Sequence, residues 1–131
     1  MNWKLIVGLS MFGLAMAFGT VFVIPSKIEP LFWLAIFVTC AIIIAKKAPK
    51  KYFLHGLCVS LVNCVWITSA HVIFFNTYVA NHPDEAKMMT GMPFAGRVMM
   101  LLTGPIVGLI SGVVLGIFSF IASKFIKPSV A

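Results

Sequence analysis

The stretch GPIVGLISGVVLG, running from Gly104 to Gly116, sets glycine at every fourth position: Gly104, Gly108, Gly112 and Gly116. In a water-soluble helix each interior glycine costs about 1 kcal/mol relative to alanine. Inside a bilayer the same residue lets two helix backbones come close, and membrane helices associate through such rows of small residues. A four-residue repeat drifts by about 40° per step around a helix of 3.6 residues per turn. The stripe therefore winds in the right-handed sense of GxxxG crossings, and reads as a glycine zipper packed in lipid.

The remainder of the chain agrees. Of its 131 residues 61% are hydrophobic and only 10% are charged, and the mean hydropathy is +1.07. A soluble domain runs about 45–50% apolar and about 25% charged. The length fits one domain, so residues 1–131 read as a single integral membrane domain. The net charge is +7, but the basic residues sit between apolar stretches, with no basic stripe interleaved with aromatics. That pattern excludes nucleic acid as a partner.

Four apolar spans follow, at about residues 5–24, 27–45, 53–79 and 98–125. Lys4, the apolar run and Ala15-Met16-Ala17 imitate a secretory leader. The run continues to Ile24, however, and suits a retained span of about 20 residues better than a short leader core. The first span stops at Pro25. Ser26 and Glu29 have the spacing of a capping box that opens the second span, with Pro30 in its first turn. A short connection implies that these two spans form a close antiparallel hairpin. Lys46-Lys47-Ala48-Pro49-Lys50-Lys51 ends the second span. The third exceeds about 20 residues and should tilt or project from the hydrocarbon. Residues 80–97 form the one sizeable loop, where Pro83-Asp84-Glu85 can open a short helix. Gly104-Pro105 predicts a kink or an interfacial boundary in the fourth span.

The architecture implied is all-α: a polytopic membrane four-helix bundle of up-down antiparallel hairpins. One side holds Lys4, Lys46, Lys47, Lys50, Lys51, Lys124 and Lys127; the other holds Lys27, Lys87 and Arg97 with all three acids, Glu29, Asp84 and Glu85. The positive-inside rule then puts both termini in the cytoplasm and the 80–97 loop outside, in a membrane of the bacterial inner type. The third span offers the zipper a matching small-residue row: Gly56, Ser60, Cys64 and Thr68. The glycine stripe can pack within one chain or between copies of it.

No Asp, Glu, Lys or Arg falls inside the core of any span. The third span nevertheless carries polar groups. With its centre near Trp66, His71 lies about 7.5 Å to one side and Asn63 about 4.5 Å to the other, at 1.5 Å per residue. Ser60, Cys64, His71 and Tyr78 project within about 40° of one another, with Asn63 flanking them. Polar groups that face lipid are costly, so this face looks into the bundle or a wet cavity. It is either interhelical hydrogen-bond glue or the lining of a pocket or path. Asn76, Asn81, His82, Asp84 and Glu85 cluster where the span leaves the membrane, as a collar at its mouth. His55, Tyr78 and Trp3 suit the membrane interfaces.

Cys40, Cys58 and Cys64 lie in apolar stretches without a CxxC pair, which suits structural thiols. His82 with Met88, Met89 and Met92 is a weak Cu(I)-type ligand set; the methionines also suit the apolar face of an interfacial helix. No cofactor and no dedicated metal site is implied. The first functional reading is a non-enzymatic bundle, an assembly or accessory subunit or a homo-oligomer, whose partners are the bilayer and other membrane subunits. The second is a channel or small-solute transporter with its path along the third helix. A His71-dependent membrane enzyme ranks last, since no carboxylate lies at depth beside that imidazole.

Overall fold

The computed structural model describes residues 1–25 and 27–129. Among these residues all regular structure is helical: α1 (Trp3–Phe22), α2 (Glu29–Lys47), α3 (Tyr52–Ile73), α4 (Phe75–Asn81), α5 (Pro83–Thr90) and α6 (Gly96–Phe125). Helices α1, α2, α3 and α6 are long and apolar enough to cross a membrane.

Local chemistry sets most of the ends. The Asn2 side chain accepts the Leu5 N–H at 3.1 Å and caps α1. The capping box expected at the start of α2 rests on Ser26, which lies outside the described residues. Ile28 holds the cap position of α2 without a side-chain bond, and Glu29 Oε1 accepts the indole N–H of Trp33 at 3.1 Å instead. Lys46 and Lys47 close α2, where positive charge complements the helix dipole.

The third apolar run departs from its reading as one helix. It breaks at Phe74, with no glycine or proline nearby, into α3 and α4. Packing explains the break: the Phe74 ring lies against Phe22 and Phe18, with centroids 5.3 and 6.1 Å away. The turn lets Asn81 Nδ2 donate to Val21 O at 2.7 Å, satisfying a carbonyl at the open end of α1. The helix that remains is about 33 Å long at 1.5 Å per residue, close to the hydrocarbon thickness of about 30 Å. By contrast α6 runs without a break through Pro105, so no boundary falls at Gly104-Pro105.

The glycine stripe of α6 is covered by α3 of the same chain. A methyl group added at Gly116 would come within 2.9 Å of the Phe53 carbonyl and within 2.7 Å of its ring. One added at Gly108 would meet Cys64 Cβ at 2.5 Å, and one at Gly112 would meet Leu57 Cδ1 at 2.7 Å. Gly104 lies against Thr68. Gly56 faces the backbone of Leu115 and Gly116 with contacts of 2.7 to 2.8 Å. The small row of α3 and the glycines of α6 thus meet in opposite order. Ser60 Oγ donates to Gly108 O at 3.3 Å and Cys64 Sγ to Gly104 O at 3.0 Å across the seam.

On its other side α3 carries α1. The Asn2 backbone N–H donates to His55 Nε2 at 3.1 Å, Trp66 Nε1 donates to Ser10 Oγ at 3.3 Å, and Thr20 meets His71 at 2.9 Å. Contacts here rise together along both helices. His55, expected at the interface, is buried between Asn2 and Lys51 O. The close hairpin of the first two spans does not form: α1 and α2 touch sparsely, and α2 packs mainly on α6. Phe37 meets Phe118 at 6.4 Å, and Ser129 N–H donates to Lys46 O at 3.0 Å.

The core divides unequally. At the lysine-bearing end Ile6 and Leu9 of α1, Cys40, Ala41 and Ile44 of α2, Val59 and Leu115 form one cluster with residues from all four long helices. At the opposite end the cluster is Ala17, Val21, Ala70, Tyr78 and Met100, with nothing from α2. The sequence of α2 accounts for this. Its second half buries the small residues Cys40, Ala41 and Ala45. Its first half buries none of its side chains: Leu31, Phe32 and Leu34 are exposed, and Trp33 and Phe37 are half-buried at the cavity.

Candidate functional site

Where α2 stands away from the bundle, a cavity of about 660 Å³ opens between α2, α3 and α6. That volume lies within the range of about 300–1,000 Å³ typical of small-molecule sites. Trp33 and Phe37 of α2 form one wall, and Thr103, Val107, Ser111 and Val114 of α6 form another. Asn63, Ile67, Thr68 and His71 of α3 form the third, while Tyr78 of α4 and Met89 of α5 border one end. The Phe37–Phe118 pair, at 90° between ring planes, lies at the other end, toward the packed lysine-bearing core. The space is a vestibule between the three helices, packed at its Phe37–Phe118 end.

Of the residues singled out in the sequence, the vestibule gathers Ser60, Asn63, Cys64, His71 and Tyr78. Ser60 and Cys64 also donate into the α6 seam. Tyr78 arrives by the turn at Phe74, not by continuing the α3 helix, and is buried instead of interfacial. The polar collar is not assembled as expected: Asn76 and Asp84 are exposed and outside the vestibule, and Asn81 bonds α1. His82 is buried behind Tyr78. The rings of His71, Tyr78 and His82 stack in a column with successive centroids 4.2 Å apart.

Hydrogen bonding fixes what these groups offer. His82 Nδ1 lies 2.9 Å from Tyr78 O, a carbonyl that can only accept, so Nδ1 carries a hydrogen. Nε2 is buried with no partner. His71 Nε2 meets Thr20 Oγ1 at 2.9 Å, and the Thr20 hydroxyl also has Ala17 O within 3.3 Å, so the tautomer of His71 sets which of the pair donates. Asn63 is 2% exposed and packs over Gly13, where no larger residue would leave room for its amide. Both its Oδ1 and Nδ2 are buried without a partner. An unsatisfied buried polar group costs about 1–3 kcal/mol, a cost this amide carries at the contact of α3 with α1.

No family model matches this chain, and neither a curated protein nor a solved structure is detectably similar to it.

The thioether–imidazole set does not converge. His82 is buried while Met88 and Met92 face outward, and of these three methionines Met89 alone borders the vestibule. Among the described residues no three His, Cys, Asp or Glu side chains lie close enough to hold a metal ion.

Sequence reasoning missed Glu29, Trp33, Thr103 and Ser111. Glu29 carries the one charged side chain in the lining and was read as a capping residue. The i, i+4 spacing of Glu29 and Trp33 was the available signal for their bond. Thr103 and Ser111 stand eight residues apart, hence about 80° apart on a helix, on the side of α6 next to its glycines.

Proposed function

We propose that this small integral membrane protein binds a compact, largely apolar solute in the vestibule, as a carrier or receptor for it within the bilayer. The observation that carries the reading is a ligand-sized cavity walled by Trp33, Phe37 and Val107, with His71 and Glu29 also on its lining. The chain is oriented by its lysines: both termini and the closed core lie on the cytoplasmic side, and the mouth beside Glu29 and Met89 opens to the outside. With one end packed shut, the molecule is a one-ended binding state, not an open channel.

Assembly with other subunits is the weaker reading. Its main sequence support was the glycine stripe, and α3 covers that stripe within the chain. The apolar outer surface that is left is what any membrane helix turns to lipid.

Native Cys64 tests the proposal. In a Cys40→Ala, Cys58→Ala background, a membrane-impermeant maleimide applied outside sealed vesicles should label Cys64. Ser111→Trp, which fills the cavity beside it, should slow that labelling severalfold. A Cys64 that stays unlabelled from both sides until the protein is denatured overturns the reading.

A further inference from the structure

We infer that the solute taken up by the vestibule is a lipophilic monocation. The inference rests on the vestibule reading and adds the charge of its occupant. Glu29 is the single charged side chain in the lining, and no Lys or Arg reaches it. The carboxylate is half-buried at the first turn of α2, where the local dielectric is lower than in water and an opposite charge is correspondingly favoured. Its Oε1 is held by a neutral donor, the Trp33 indole at 3.1 Å, which positions the group without cancelling its charge.

The walls suit the same class of ligand. Trp33, Phe37 and Phe118 form a continuous aromatic run, with centroids 6.1 Å apart for the first pair and 6.4 Å for the second. Aromatic faces attract organic cations by about 0.5–2 kcal/mol and reject anions. The Tyr78 ring does not take part in this way, because His71 and His82 cover both its faces; it offers only its edge and hydroxyl. Glu85, whose buried Oε2 has no partner, stands outside the lining, so the lining itself offers one carboxylate for one positive charge.

Three probes of similar bulk separate charge from shape: tetraphenylphosphonium, tetraphenylborate and the neutral triphenylphosphine oxide. Each is titrated against the purified protein in detergent, reading both equilibrium binding and protection of Cys64 from alkylation. Tetraphenylphosphonium should bind at least tenfold more tightly than either other probe. Glu29→Gln, which keeps an oxygen for the Trp33 indole, should remove that preference, and Glu29→Asp should retain part of it. Equal protection by all three probes, unchanged in Glu29→Gln, would overturn the charge assignment and leave the vestibule reading standing. Tighter binding of the borate would also overturn it. Failure of every probe to protect a reactive Cys64 would overturn both.

Discussion

Helices α3 and α2 both pack on α6, and they do so by different chemistry. Between α3 and α6 glycines on α6 admit both the small Cys64 and Thr68 and the bulky Leu57 and Phe53 of α3, so the two backbones lie close, and hydroxyl and thiol groups donate into glycine carbonyls. Between α2 and α6 only the half of α2 rich in small residues closes; the half with Trp33 and Phe37 stands off and leaves a cavity. In lipid the hydrophobic effect does not press helices together, so proximity follows side-chain size and hydrogen bonding. A bulky apolar helix is as comfortable against lipid tails as against a neighbour. The difference teaches that a membrane bundle can keep a binding space wherever one helix lacks small residues.

The comparison breaks first at the seam. Gly116→Leu should destabilise the protein in detergent by about 3 kcal/mol or more, since overpacking alone costs about 1–3 kcal/mol and here the obstacle includes backbone. Thermal unfolding followed by circular dichroism reads this, and an unchanged midpoint would mean that α3 does not cover the stripe. Its particle mass should remain that of the parent, because the seam lies within one chain. A smaller particle would instead place the seam between copies.

A second effect, of opposite sign, is expected where α3 meets α1. Asn63→Leu keeps the side-chain volume and removes two unsatisfied polar atoms, so it should stabilise the protein by about 1 kcal/mol. Destabilisation by that change would mean that the amide has partners inside the bundle. His71→Leu loses the bond to Thr20 and should cost about 0.6–2 kcal/mol, the usual worth of an interhelical hydrogen bond in lipid. The smallest change is expected at Gly8, where an added methyl group meets nothing within 4 Å. Gly8→Ala should shift stability by less than about 1 kcal/mol, as at other open helix sites.

The seam was legible because its cause is local. Glycine at every fourth position and a matching Gly56, Ser60, Cys64 and Thr68 row state directly that two backbones can meet. The polar wall of α3 was legible for the same reason, since one helix fixes the relative directions of Ser60, Cys64 and His71. What was not legible depends on several elements at once. Phe74 breaks the third span through contacts with Phe18 and Phe22, residues more than fifty positions away. That break brings Tyr78 into the vestibule and removes Asn76 from it. Glu29 looked like a capping residue because the i, i+3 spacing with Ser26 fits a cap, and nothing local indicated that its carboxylate borders a cavity. The pairing of α1 with α3 in place of α2 has no local signature either.

The claim on which the rest stands is that the bundle is closed at its lysine-bearing end and open toward Glu29. A spin label placed in turn at Thr103, Val107, Ser111, Val114 and Phe118 follows the α6 wall of the vestibule from mouth to floor. In protein reconstituted in lipid, collision with a water-soluble nickel complex should be high at Thr103, fall steadily through Ser111 and vanish at Phe118. Low collision with nickel at all five positions, with high collision with oxygen as for a lipid-facing helix, would contradict the account.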